Sequence, residues 1–207
     1  MGMTGGLVRA SEADIRRLRA DRSALPDFIE GDAWVPPVRR VQPKGVLGWL
    51  LRLTPITIEE TDPDAVPPEG AQLVERDSHL DLDKAWQPLH FLLTGTAWEG
   101  EEPGCYLVRG GEELIDDDEL GYSSIRALLP EQISRLDEFL RELSHETLRQ
   151  RFDHERMVAL EIYSKPRARD KTDASDEVYY LLEAFDALRS FAAAAAKRGD
   201  GAIAYLT

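Results

Sequence analysis

The chain has 207 residues, of which 43% are hydrophobic and 31% charged, and its formal net charge at pH 7 is −14. That length and balance suit a chain with a real core and exclude disorder or a fibre. The excess of carboxylates argues against nucleic acid and anionic membrane surfaces as partners, because both present phosphates that it repels.

Cys105 is the single cysteine, so an internal disulfide and a cysteine-rich zinc site are excluded, and a reducing compartment fits best. The N-terminus lacks the basic and apolar regions of a signal peptide. The strongest apolar run, residues 46–53, is too short to span a bilayer and contains Arg52. These features predict a cytoplasmic protein.

Residues 6–10 predict a first strand. Ser11 then reads as the N-cap of a helix, with Glu12 and Asp14 beside its free N–H groups, Ile15 and Leu18 facing inward, and an end before Pro26. Residues 28–43 read as irregular, broken by Pro36, Pro37 and Pro43. Residues 46–53 predict a short buried helix that Pro55 ends. Residues 54–70, with Pro55, Pro63, Pro67 and Pro68, read as a loop or insertion.

Residues 72–81 alternate weakly and predict extended chain. A helix follows over 83–94, with Asp83 as its cap and Gly95 as its stop. Pro88 either kinks that helix or stands at its first position. Residues 105–109 and 112–115, joined by Gly110-Gly111, predict a β-hairpin. Pro130 opens a helix striped by Ile133, Leu136, Leu140 and Leu143, and Leu148 and Phe152 either extend it or begin another.

Residues 157–163 suit a short strand or helix, and 166–175 a charged loop. Val178, Leu181, Leu182, Phe185, Leu188 and Ala192 mark a long amphipathic helix ending near Gly199. Asp200-Gly201 turns the chain into a small terminal strand over 202–206. The expected architecture is α+β: a single domain over 1–207 with a Pro-rich loop or insertion around 54–70, and a small mixed or antiparallel sheet packed against several amphipathic helices.

The opening M-G-M-T-G-G-L-V-R-A-S, the stretch L-D-K-A-W-Q-P-L-H-F-L-L-T-G (82–95) and the stretch G-Y-S-S-I-R-A-L-L-P-E-Q-I (121–133) resemble the YfbM-like family, domain of unknown function 1877. The long C-terminal helix and short final strand are also similar, so the likeness runs in order along nearly the whole chain. It implies a mixed α and β fold and little about function. Gln87-Pro88 stands where the family pattern has His-Gly, Ser123-Ser124 where it has Gly-Pro, and Leu129 where it has Thr. Any chemistry performed by that histidine is absent from this chain.

Asp77, His79, Asp81 and Asp83 recur at every second residue, which puts them on one face of a strand. Such a set suits a divalent cation, but no named metal motif has this spacing, and a solvated strand face whose last Asp caps the next helix accounts for it better. Trp86, Leu89, His90 and Leu93 follow helical spacing. Trp86 and His90 either wall a pocket with Asp83 and Lys84 at its mouth, or belong to a core helix whose imidazole bonds a backbone carbonyl; an isolated His among apolar residues favours the second. Gly121, Tyr122 and Arg126 form another candidate cluster: Arg126 either grips a carboxylate or phosphate through two donors or, as the many carboxylates of this chain favour, pairs with an acidic neighbour.

Glu112, Glu113, Asp116, Asp117, Asp118 and Glu119 lack the frame of an EF-hand and read as a solvated loop. Cys105 has no activating base in sequence and reads as an inert buried thiol. No phosphate loop, dinucleotide fingerprint or nucleophile elbow occurs. No metal or cofactor is expected. Two functions survive: a non-enzymatic interaction or small-ligand-binding domain with an acidic surface, which the sequence favours, and an enzyme of undefined reaction centred on Asp81, Asp83, His90, Tyr122 and Arg126. The partner is an unidentified protein or small molecule.

Overall fold

The computed structural model describes residues 3–30, 33–34, 38–41, 58–61, 72–73, 78–115, 124–162 and 171–207. Contacts divide the chain into two compact units, one of Met1–Ile29 with Asp77–Thr207 and one of Glu30–Arg76.

Strand β1 (Gly5–Ala10) leads into helix α1 (Glu12–Ala20). Ser11 caps α1 reciprocally with Asp14: its hydroxyl accepts from the Asp14 N–H at 3.1 Å, and Asp14 Oδ2 accepts from the Ser11 N–H at 3.1 Å. A 3-10 turn (Arg22–Ala24) and helix α2 (Leu25–Glu30) follow. Pro26, expected beyond the last helical residue of this region, instead stands in the first turn of α2, where its missing N–H would have had no helical acceptor.

In the second unit, β2 (Ala33–Trp34) runs parallel to β5 (Gln72–Leu73), and β3 (Val38–Val41) antiparallel to β4 (Ile58–Thr61). Two stretches expected to be irregular, 28–43 and 54–70, therefore each contain a strand. Non-local pairing overrides the local proline signal. The predicted helix over 46–53 lies outside the described residues.

The first unit resumes with β6 (His79–Asp81), helix α3 (Trp86–Thr94), β7 (Glu112–Ile115) and β8 (Ser124–Leu128). Helices α4 (Pro130–Glu142), α5 (His145–Arg151), α6 (His154–Ala159) and α7 (Lys171–Arg198) precede the last strand, β9 (Gly201–Leu206). Residues 157–159 are thus helical rather than extended, and α7 begins at Lys171, inside the predicted loop. Pro130 is the first residue of α4; Leu129 has no capping oxygen, so Gln132 Oε1 accepts its N–H at 2.9 Å.

The strands form one antiparallel sheet in the order β6-β1-β9-β8-β7. The sequence marks β9 as a small terminal strand; it lies at the centre instead. Alternation sorts its side chains to two faces. Ile125, Ala127 and Ile203 pack on Ile15, Leu18, Leu25 and Ile29 of α1 and α2. Leu128, Ala202, Ala204 and Leu206 face the larger cluster built from α3, α4 and α7. Arg126 lies between Ile125 and Ala127 in β8 and so shares the face of the larger cluster.

Candidate functional site

Helix α3 is buried along eight consecutive residues, Trp86 to Leu93, as an apolar helix enclosed by other elements must be. Gly95 ends it in the left-handed region at φ 77°, as the sequence predicts. Its last carbonyls point at two arginines. Arg151 Nη1 donates to Leu92 O at 3.0 Å, and Arg156 Nη2 donates to Gly95 O at 3.0 Å, placing positive charge at the negative end of the helix dipole. At the other end, Asp83 is not the cap. Ala85 holds that position with no side-chain bond, and Asp83 sits at φ 43° with its N–H bonded to Asp81 Oδ1 at 2.7 Å. Pro88 occupies the third helical position, still within the turn whose N–H groups lack partners.

Trp86 is buried and donates its indole N–H to Met3 O at 3.2 Å. The approach of β1 is close enough that a Cβ on Gly5 would lie 3.0 Å from Trp86 Cγ and 2.7 Å from Leu206 Cδ2, so a side chain there would have to displace both neighbours. His90 is fully buried, and its Nε2 donates to Glu99 O at 2.8 Å. Burial lowers its pKa to about 4, the Glu99 bond opposes that, and the charges of Arg126 and Arg109 push the same way as burial. The imidazole is therefore neutral at pH 7, with Nδ1 as an acceptor lacking a hydrogen-bond partner. The carbonyl-bonded core histidine is the arrangement found.

Residues 105–109 are not a strand. The N–H groups of Val108 and Arg109 both return to Cys105 O, at 2.9 and 2.7 Å, so the segment is a helical turn. Cys105, Tyr106, Leu107 and Val108 are all buried, without the alternation of a strand. Gly110 and Gly111, at φ 81° and 75°, carry the chain out of this turn into β7, whose partner is β8. Burial pushes the Cys105 thiol pKa up, with Glu102 adding to it, so the thiolate is disfavoured.

Arg126 projects beneath this turn and is 4% exposed. Its Nη2 donates to Leu107 O at 3.0 Å and its Nη1 to Gly110 O at 3.3 Å, while Nε is buried without a partner. No carboxylate among the described residues forms an ion pair with it. Burial lowers its pKa to about 10, with Cys105 and Glu113 opposing and Arg109 reinforcing the shift, so it remains a cation at pH 7.

That cation lines a cleft of about 540 Å³ in the first unit. Arg109, Gly110 and Gly111 form one wall, Glu113 and Ser124 the strand side, and Met3, Trp98 and Leu206 an apolar side. Arg109 is already engaged: its Nε donates to Trp98 O at 2.9 Å, and its Nη2 pairs with Glu99 Oε1 at 2.8 Å. Trp98 is 45% exposed and leans on Trp86, with ring centroids 5.6 Å apart.

Of the residues singled out from sequence, Arg126 lines the cleft. Trp86 and His90 lie behind it, one touching Met3 and Trp98, the other electrostatically coupled to Arg126. Asp81, Asp83 and Lys84 are exposed and line no part of it; Asp83 and Asp81 instead raise the pKa of Tyr180 on α7, after burial. Tyr122, Asp77 and the acidic residues 116–119 lie outside the described residues. Glu112 and Glu113 belong to a strand rather than a loop. Among the described residues, no group of three or more His, Cys, Asp or Glu is placed to hold a metal ion.

Sequence reasoning missed Trp98, Arg109 and Glu113. The paired glycines were the available signal: their positive φ was foreseen, but the hairpin inferred from it gave β7 the wrong partner and hid the Glu113–Arg126 pairing.

No helix among the described residues is long and apolar enough to cross a membrane. In fold, the chain is similar to a protein of unknown function, YfbM from Escherichia coli, at TM-score 0.61 and 18% identity over 99% of each chain. No curated protein matches it. A family model described as domain of unknown function DUF1877 matches residues 1–205. The chain belongs to the DUF1877 family.

Proposed function

We propose that this is a non-enzymatic small-ligand-binding domain of the cytoplasm whose ligand carries an anionic group seated on Arg126. The observation that carries the reading is a cation 4% exposed, without a carboxylate partner among the described residues, on the wall of a 540 Å³ cleft. Burying a lone charge costs several kcal/mol, and two carbonyl bonds offset only part of that. A bound carboxylate or phosphate supplies the missing counter-charge, and the volume falls within the usual range for small-molecule sites. The alternative, an enzyme, needs a base or nucleophile in the cleft. Glu113 and Ser124 line it, but among the described residues no hydrogen bond joins that hydroxyl to a carboxylate or an imidazole, no His or Cys lines it, and His90 is neutral, buried and committed to Glu99.

The test is a thermal-shift and Trp-fluorescence titration with inorganic phosphate, benzoate and 3-phenylpropionate, on the wild-type chain and on Arg126→Met and Trp98→Ala. At least one anion should raise the melting temperature, since a ligand at a hundred times its Kd adds about 2.7 kcal/mol. Trp98→Ala, at a half-exposed position, should fold and bind more weakly. A wild-type chain that binds no carboxylate or phosphate compound, anionic or zwitterionic, at millimolar concentration rejects the reading.

A further inference from the structure

Resting on that anion-binding reading, we infer that the ligand is a zwitterion of the amino-acid class: its carboxylate meets Arg126 on the floor of the cleft, its ammonium meets Glu113 at the mouth, and its apolar part lies along Trp98.

Glu113 and Arg126 are register partners on antiparallel β7 and β8, so both side chains project from the same face of the sheet. Both line the cleft. Opposite charges so placed ordinarily close into an ion pair, and here they do not. Arg126 is held by Leu107 O and Gly110 O, which fix its guanidinium under the turn, while Glu113 stays exposed with no ion pair among the described residues. The result is a fixed positive floor and a free negative rim across one opening. A ligand with a carboxylate and an ammonium separated by a short carbon skeleton fits both.

Two further observations point the same way. The formal net charge of −14 repels any ligand that is purely anionic, whereas a zwitterion has no net charge to be repelled. The half-exposed indole of Trp98 is buttressed from behind by Trp86, so it offers an apolar surface to the ligand skeleton and a π face to an ammonium. Burial of the cation and exposure of the carboxylate also set the direction of entry, carboxylate first.

Matched pairs test the inference: glycine and acetate, L-alanine and propionate, L-leucine and 4-methylpentanoate, L-phenylalanine and 3-phenylpropionate, with phenethylamine as the compound lacking a carboxylate. Each is titrated into the full chain, with Trp fluorescence and calorimetry as readouts. In at least one pair the amino acid should bind about 10-fold tighter than its deaminated partner, the scale of one charge-assisted contact. Glu113→Gln, at an exposed position, should shrink that gap to about 2-fold. Equal affinity within every binding pair overturns the zwitterion and leaves the anion reading standing. Phenethylamine binding as tightly as L-phenylalanine, or no acid binding at all, overturns both.

Discussion

Trp86 and Trp98 meet with ring centroids 5.6 Å apart and planes inclined at 52°, one indole sealed and the other half in solvent. The same contact therefore joins a core pillar to a cleft wall, and the two residues should respond to truncation in opposite ways. Trp86→Ala should cost on the order of 3–5 kcal/mol, because it opens a cavity between α3, β1 and Leu206 and removes the Met3 bond. Trp98→Ala should cost less than about 1.5 kcal/mol and act on ligand affinity instead. Urea unfolding of both variants checks this; comparable losses from the two would show that the cleft wall is part of the core.

His90 should make stability depend on pH. Its folded-state pKa of about 4 lies below the ordinary 6.5, so protons bind the unfolded chain preferentially. Its contribution is complete above pH 6.5, declines as the pH falls from 6.5 towards 4, and is lost below that, a change on the order of 3 kcal/mol. His90→Gln keeps a donor for the Glu99 carbonyl and should flatten this limb. Denaturation midpoints taken at intervals from pH 7 to pH 4 decide it: identical slopes in the two proteins remove His90 as the cause.

Arg126→Met should change the stability of the ligand-free chain by less than about 1.5 kcal/mol, because relief of a costly buried charge offsets the loss of charged donors at the Leu107 and Gly110 carbonyls. Arg126→Lys keeps the charge without the planar fork and should not restore both bonds. Amide exchange over residues 105–111 provides the local readout, and protection there unchanged in both variants would mean that the guanidinium does not staple the turn.

Arg151→Ala and Arg156→Ala should each cost about 0.5–2 kcal/mol through the exposed carboxyl end of α3, although both arginines stand on other helices. Calorimetric melting of the two single variants tests this. Should neither lower the melting temperature, solvent serves those carbonyls equally well.

What was legible in the sequence was mostly what a few neighbouring residues decide among themselves. Ser11 with Asp14, Gly95 after Thr94 and Pro130 at the head of α4 are local capping events, and each stands where the chain predicts it. The burial of α3 was readable from Trp86, Leu89 and Leu93 at helical spacing. What could not be read depended on partners far along the chain. Residues 105–109 have apolar composition suited to a strand, but their hydrogen bonds turn inward to Cys105 O, which leaves β7 to pair with β8. Arg126 was singled out for its donors, and its site emerged only once Glu113 was placed across from it.

The first and last strands lie side by side in the middle of the sheet, joined from Gly5 opposite Leu206 to Ala10 opposite Gly201. A nascent chain carrying residues up to 200 therefore has β1 and β8 exposing bare edges towards one another with nothing between them, a state open to mispairing with other strands. The sheet closes only when the final six-residue strand slides into that slot. The contact joins segments nearly two hundred positions apart, the kind of long-range closure that slows assembly.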